Sequence, residues 1–179
     1  MEIVFVRHGL PDYRLADERQ MSQLEKDYSP LARSCIDSII ELGKSEVFSG
    51  CSAMLVSPYT RAMQTAELIN RHLQLDLYVE HDLREWRADI DGGVISLQER
   101  DRRWHEYRAA LKDDVQVSEV SYEQHDKLRK RVLDVISHYR EYEKLIVVGH
   151  FNVLEALLGY QEEGIACGGI RCFSINEWQ

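Results

Sequence analysis

The chain has no surplus of positive charge. Its 179 residues carry 22 Lys and Arg against 31 Asp and Glu, a formal net charge of −9, whereas a surface for the phosphate backbone needs a basic footprint. That argues against nucleic acid as a partner. One locally basic stretch, 100–108 (Arg-Asp-Arg-Arg-Trp-His-Glu-Tyr-Arg), interleaves acidic residues and reads as a solvated helix face. The four cysteines, Cys35, Cys51, Cys167 and Cys172, show neither Cys-x-x-Cys spacing nor the density of a disulfide framework. Reduced thiols in a cytoplasmic protein are expected. No apolar run approaches a membrane span, so no membrane association is expected. The first strand opens at Glu2 without a basic flank or cleavage site, so no signal peptide is expected either. Repeats, low-complexity tracts and Pro- or Gly-rich linkers are missing too, so one domain over 1–179 is expected. The absence of Gly-x-x-x-x-Gly-Lys-Ser/Thr and of Gly-x-Ser-x-Gly removes P-loop and serine-hydrolase chemistry. His72, His81, His105, His125 and His138 have no partners at metal-ligand spacing, and the sequence calls for no metal or cofactor.

What is present is an alternation of strands and helices. Strand-like runs stand at 2–7, 53–56, 76–80, 145–149 and 170–175, three of them near-continuously apolar, as in strands covered on both faces. Ser29-Pro30 has the form of an N-cap followed by proline at the first helical position, predicting a helix to about Gly43. Ser57-Pro58 repeats the signal and predicts a helix to about Leu73. Stretches 96–112 and 119–143 read as two further helices, and a last one follows His150. Segments 10–28 and 86–95 read as irregular loops. The pattern predicts an α/β fold of three layers, a doubly wound, mostly parallel sheet with helices on both faces.

The polar residues at the carboxyl ends of these strands are Arg7-His8-Gly9, then Arg61 in the first turn of a helix, then Leu83-Arg84-Glu85, then Gly149-His150. In a parallel sheet those ends share one edge, where such folds place their sites. Two Arg, two His and one Glu describe a phosphate site. Arg offers a fixed fork of donors to phosphate oxygens, and helix N-termini after Pro58 and His150 add oriented N–H groups. A neutral imidazole is a competent nucleophile at phosphorus, and a protonated carboxylic acid can serve a departing alkoxide. Asp82, Asp89 and Asp91 are neighbouring carboxylates that could stand in for Glu85. A metal site built from His8, His150 and Glu85 is a weaker alternative. Trp86 and Trp104 read as packing at the site.

These residues resemble the signatures of the histidine phosphatase superfamily, which also holds the cofactor-dependent phosphoglycerate mutases. Arg7-His8-Gly9 is similar to its first motif. Ser57-Pro58-Tyr59-Thr60-Arg61-Ala62-Met63-Gln64-Thr65-Ala66 follows its Ser-Pro-x-x-Arg-Ala-x-Gln-Thr-Ala segment, Leu83-Arg84-Glu85 its Leu-x-Glu, and Val147-Val148-Gly149-His150 the strand delivering its second histidine. The resemblance implies a phosphoglycerate mutase-like fold and phosphomonoester hydrolysis without metal. His8 would become phosphohistidine, Arg7, Arg61 and His150 would hold the phosphoryl group, and Glu85 would be the acid and then the base. Gly9 and the backbone of Phe151 would add phosphate contacts. A small phosphorylated metabolite or a phosphoprotein is the implied substrate. A phosphoglycerate-type mutase and a catalytically silent phospho-ligand module are the alternatives. Three departures from the family pattern stand out: Leu10-Pro11-Asp12-Tyr13 after the first motif, Phe151 in place of a glycine, and Asp91-Gly92-Gly93 displaced along its loop.

Overall fold

Five short apolar runs become the strands of one mixed sheet. The computed structural model describes residues 1–118 and 120–176. Strand β1 (Glu2–Arg7) leads into α1 (Arg14–Glu18), α2 (Gln23–Asp27) and α3 (Ile36–Leu42). Then come β2 (Ala53–Val56), α4 (Thr60–Leu73), β3 (Asp76–Val79), α5 (Leu97–Asp113) and α6 (His125–Ser137). Strand β4 (Lys144–Gly149), α7 (Phe151–Leu158) and β5 (Ile170–Ser174) complete the order. The sheet runs β3-β2-β4-β1-β5, parallel throughout except for β5, which lies antiparallel to β1.

The period of two along the inner strands builds both layers of core. Ile3, Phe5, Ala53, Leu55, Leu145 and Val147 point to the side covered by α5, α6 and α7, where Tyr107, Leu128, Val132 and Leu154 meet them. Val4, Val6, Met54, Val56, Ile146 and Val148 point to the side covered by α3 and α4, through Ile39, Ala62, Ala66 and Ile69. All twelve strand residues are fully buried; burying one large aliphatic or aromatic side chain stabilises by about 1.5–3 kcal/mol. This is the three-layer, doubly wound architecture that the alternation of elements predicts. The register then sets the site. Arg7 pairs with Gly149 and Val56 with Val148, so β1, β2 and β4 end together on one edge.

Several boundaries differ from the sequence expectation. Ser29-Pro30 does not open a helix: Leu31 forms an isolated antiparallel bridge with Pro11, the Ala32 N–H donates to the Leu10 carbonyl at 2.8 Å, and α3 begins only at Ile36. Pairing to the segment after β1 outweighs the local capping signal. Helix α3 ends where Gly43 passes α4, since a Cβ there would lie 2.8 Å from the Ile69 carbonyl. Helix α4 starts at Thr60, with Tyr59 extended before it; the Ser57 hydroxyl bonds His150 Nε2 at 2.7 Å and accepts the Tyr59 N–H at 3.4 Å. The expected helix over 119–143 is the shorter α6. Glu119 lies outside the described residues, and Val120–Gln124 are not helical. Segment 10–28, read as a loop, contains α1 and α2, the latter opened by a Ser22–Glu25 capping box.

Candidate active site

His8 follows directly on β1 and is nearly buried, at 3 % exposure. Its Nδ1 donates to the Gly9 carbonyl at 2.7 Å, which fixes the tautomer and leaves the Nε2 lone pair to face Arg61 Nε at 3.4 Å. Burial, and then the Arg61 guanidinium, depress its pKa to about 3, so the ring is neutral through the physiological range. Gly9 is held in turn, its N–H donating to Thr65 Oγ1 at 2.9 Å while that hydroxyl donates to the Arg61 carbonyl at 2.7 Å. Thr65 thus ties the His8 turn to the first two turns of α4. Gly9, expected as a phosphate contact, has its N–H on Thr65 in this structure, and its carbonyl orients the imidazole.

Arg7, Arg61 and His150 converge beside His8. The two imidazoles stand 5.1 Å apart between ring centroids. His150, fully buried, binds the Ser57 hydroxyl through Nε2 at 2.7 Å. Burial, reinforced by Arg61 and His8, keeps it neutral, well below the ordinary histidine value. Arg7 Nη1 donates to the Ile165 carbonyl at 2.5 Å, and its guanidinium lies over the Phe151 ring at 5.8 Å. Arg61 stacks on Tyr59 at 5.0 Å and on Tyr13 at 5.9 Å. Among the described residues, Arg7 Nε, Arg61 Nη1 and His150 Nδ1 are buried without a hydrogen-bond partner. Buried donors left unmade cost about 1–3 kcal/mol each, and a phosphate oxygen satisfies such groups. Phe151 is the first residue of α7, where backbone N–H groups have no intrahelical acceptor. Its ring packs on Arg7.

Glu85 brings in the carboxyl group. Burial raises its pKa, against the Trp86 N–H at 2.8 Å, the charges of Arg61 and Arg7, and the Asn152 N–H of α7. Its nearby alternatives behave differently. The Arg84 side chain holds Asp82 below the usual carboxylate range despite some desolvation, and the Gly93 N–H and Arg103 do the same for Asp89. Glu85 and Arg61 both line a cavity of about 540 Å³ whose walls include Asp27, Tyr28, Tyr59, Arg84, Trp86 and Arg87. Trp86, expected as packing, does pack on Tyr107 and Tyr122, and its Nε1 donates to the Glu123 carbonyl at 2.7 Å. No group of three or more His, Cys, Asp or Glu side chains is arranged as a metal site among the described residues.

Some of the site's supports have no sequence motif. Arg131, on α6, donates to Glu123 Oε1 at 2.6 Å and Oε2 at 2.8 Å, and to the carbonyls of Asp82, Arg84 (2.8 Å) and Glu85 (3.2 Å). Glu123 also accepts the Arg87 N–H at 3.2 Å. One buried ion pair therefore fixes the backbone on both sides of Glu85. Asp27, the last residue of α2, lies 3.9 Å from Arg61 Nη1.

The family described as Histidine phosphatase superfamily (branch 1) matches residues 3–177. No curated protein matches the chain. Solved structures share its fold at low identity. A mycobacterial glucosyl-3-phosphoglycerate phosphatase superposes with a TM-score of 0.69 at 18% identity, over 96% of this chain and 88% of that one. The protein YhfR of Bacillus stearothermophilus gives 0.72 at 18%, over 98% and 91%. The alpha-ribazole phosphatase from Shigella flexneri gives 0.66 at 21%, over 99% and 92%.

Proposed function

The chain belongs to the histidine phosphatase superfamily, and from that premise we propose that it is a phosphomonoester hydrolase working through a phosphohistidine at His8. The observation that carries this reading is the imidazole itself: buried, neutral, tethered at Nδ1 and presenting Nε2 beside Arg61. Nε2 attacks phosphorus in line, the bond to the ester oxygen breaks, and Glu85 gives its proton to that oxygen. Glu85, now a carboxylate, takes a proton from water. The water oxygen attacks phosphorus, the P–N bond breaks, and His8 returns to its neutral form as inorganic phosphate leaves. Arg7, Arg61 and His150 hold the transferring group and stabilise its charge in a water-poor setting, with the first amides of α7 alongside. The route calls for no metal and no cofactor.

Both His8 and Glu85 are present with pKa directions suited to these roles, which supports catalysis over silent binding. Between Glu85 and β4 the described residues add only α5 and α6, little with which to exclude water and grip a second anion, so water rather than a second hydroxyl is the acceptor. The solved relatives are named for small-metabolite phosphatases, and a cavity of about 540 Å³ suits a small phosphorylated metabolite better than a folded phosphoprotein. The four cysteines, all free, support a reducing, cytoplasmic setting. The test is p-nitrophenyl phosphate hydrolysis at mildly acidic pH with chelator present. Wild type turns over and, quenched during turnover, carries acid-labile, base-stable phosphate. His8→Ala has neither property, and full activity in that variant refutes the mechanism.

A further inference from the structure

Asp27 is unexplained by phosphate binding. A carboxylate beside the arginine that grips a dianion opposes that grip, and more so where water is scarce. Yet the fold builds it in. The capping box at Ser22 and the Lys26–Asp17 ion pair at 3.0 Å hold α2 in place, and Asp27 is almost buried at its end, with 12% of its side chain exposed. It lines the cavity together with Arg61 and Glu85. Arg61 lies between the two halves of the site: its Nε faces His8, and its Nη1 faces Asp27. A leaving group that extends from the phosphoryl position along Arg61 into the cavity therefore meets Asp27.

The carboxylate has capacity left. It accepts from Gln23 Nε2 at 3.3 Å and from the Tyr59 hydroxyl, while Arg61 at 3.9 Å is too far for a hydrogen bond. An ionised carboxyl has about four acceptor sites. The other charged residues of the cavity wall are held by groups outside it. Arg84 is paired with Asp82, Asp89 is held by Arg103 at 2.9 Å and by the Gly93 N–H, and Arg87 donates to the Ile90 carbonyl. Beyond the phosphoryl group the wall thus sets Asp27 and Asp89 against Arg84 and Arg87, with no positive surplus for a second anion.

Taking the phosphatase reading as its basis, we infer that Asp27 selects the substrate class. It accepts hydrogen bonds from hydroxyl or ammonium groups on the leaving side of the phosphomonoester and rejects leaving groups that carry a second negative charge. The wall of Tyr28, Tyr59 and Trp86 packs the apolar part of such a group.

The test uses a nearly isosteric pair, sn-glycerol 3-phosphate and 3-phosphoglycerate, which differ by a hydroxymethyl group against a carboxylate. O-phosphoethanolamine is the ammonium-bearing substrate and p-nitrophenyl phosphate the donor-free reference. Wild type favours glycerol 3-phosphate over 3-phosphoglycerate in kcat/KM by about tenfold or more, since like charges brought together at a recognition site are strongly disfavoured. Asp27→Asn keeps the shape, removes the charge and brings that ratio towards one. It also lowers phosphoethanolamine relative to glycerol 3-phosphate, because the ammonium loses a charged partner while the amide oxygen still accepts from a hydroxyl. Asp27→Ala lowers both donor-bearing substrates relative to p-nitrophenyl phosphate. Should a variant fail to fold, the wild-type ratio still decides: a preference for 3-phosphoglycerate overturns the inference. Ratios unchanged in folded Asp27→Asn overturn it as well, while leaving the phosphatase reading intact. No turnover of p-nitrophenyl phosphate by wild type overturns both.

Discussion

Arg131→Met tests whether the acid at Glu85 is placed by the ion pair beneath it. Methionine keeps the unbranched stem but removes five donors, so Glu123 stays behind as a buried charge with only the Arg87 N–H at 3.2 Å. The side chains of the pair are 10% and 8% exposed. Breaking such a pair from one side costs about 3–5 kcal/mol. For a chain of this size each kcal/mol moves the melting temperature by about 2–4 °C, giving a fall of about 6–20 °C. Replacing both partners, Arg131→Met with Glu123→Met, removes the orphaned charge, and most of the stability returns.

Activity separates from stability in this series. The carbonyls of Asp82, Arg84 and Glu85 lose their donor in both variants, so Glu85 is no longer held in place. A misplacement of about 1 Å can cost on the order of a hundredfold in rate. The loss falls on esters with poor leaving groups, which need the acid, and spares p-nitrophenyl phosphate. The assay is therefore a melt beside kcat for alkyl and aryl phosphates in wild type, single and double variants. The reasoning is refuted if Arg131→Met melts within 2 °C of wild type, or if the alkyl-to-aryl rate ratio is unmoved.

Two more outcomes follow from the site. Burial raises the Glu85 pKa above its ordinary 4.5 while His8 is lowered to about 3, so alkyl phosphate hydrolysis rises as His8 loses its proton near pH 3 and falls as pH climbs through the raised Glu85 value. Glu85→Gln removes the falling limb, and a flat wild-type rate from mildly acidic to alkaline pH would rule out the assigned role. Gly9→Ala puts a methyl 3.1 Å from Ile39 Cγ1 and 3.2 Å from both Cys35 Sγ and Leu31 Cδ2. Overpacking of that kind costs about 1–3 kcal/mol and shifts the carbonyl that orients His8, so both melting temperature and kcat fall; an unchanged kcat would show that the tether is not needed.

The fold was legible because its signals are local and strong. Apolar runs long enough for strands and helices with clear periods specify layers, and Arg7, His8, Arg61 and His150 each stand at the end or start of such an element, while Glu85 lies in the loop after β3. Segment 10–28 was not legible. Helices of five residues are too short for a period to show and are not stable alone; α2 exists because its capping box and the Lys26–Asp17 pair hold it on the rest. Asp27 was invisible for the same reason, its meaning lying in a partner 34 residues away, Arg61. Ser29-Pro30 misled because a local cap was outweighed by the bridge between Pro11 and Leu31. Glu123 and Arg131, expected within one helix over 119–143, are divided between the non-helical residues before α6 and α6 itself, and their ion pair spans that break.

The distribution of charge explains why recognition is divided between these two kinds of segment. With a net charge of −9, the molecule as a whole does not steer an anionic ester towards itself. The attraction is local, from the half-buried Arg7 and the buried Arg61, both screened less by salt than surface charges are. Such a pair grips any phosphoryl group that arrives and says nothing of what it is attached to. Discrimination therefore rests with the walls the leaving group passes, contributed by α2 and by the loop around Trp86. Those walls join the phosphoryl core at few points, Asp27 to Arg61 and Arg131 to the Glu85 backbone. Residues of α2 other than Asp27 can change what enters without moving His8, whereas a change at Thr65 or Gly9 moves the nucleophile for every substrate alike.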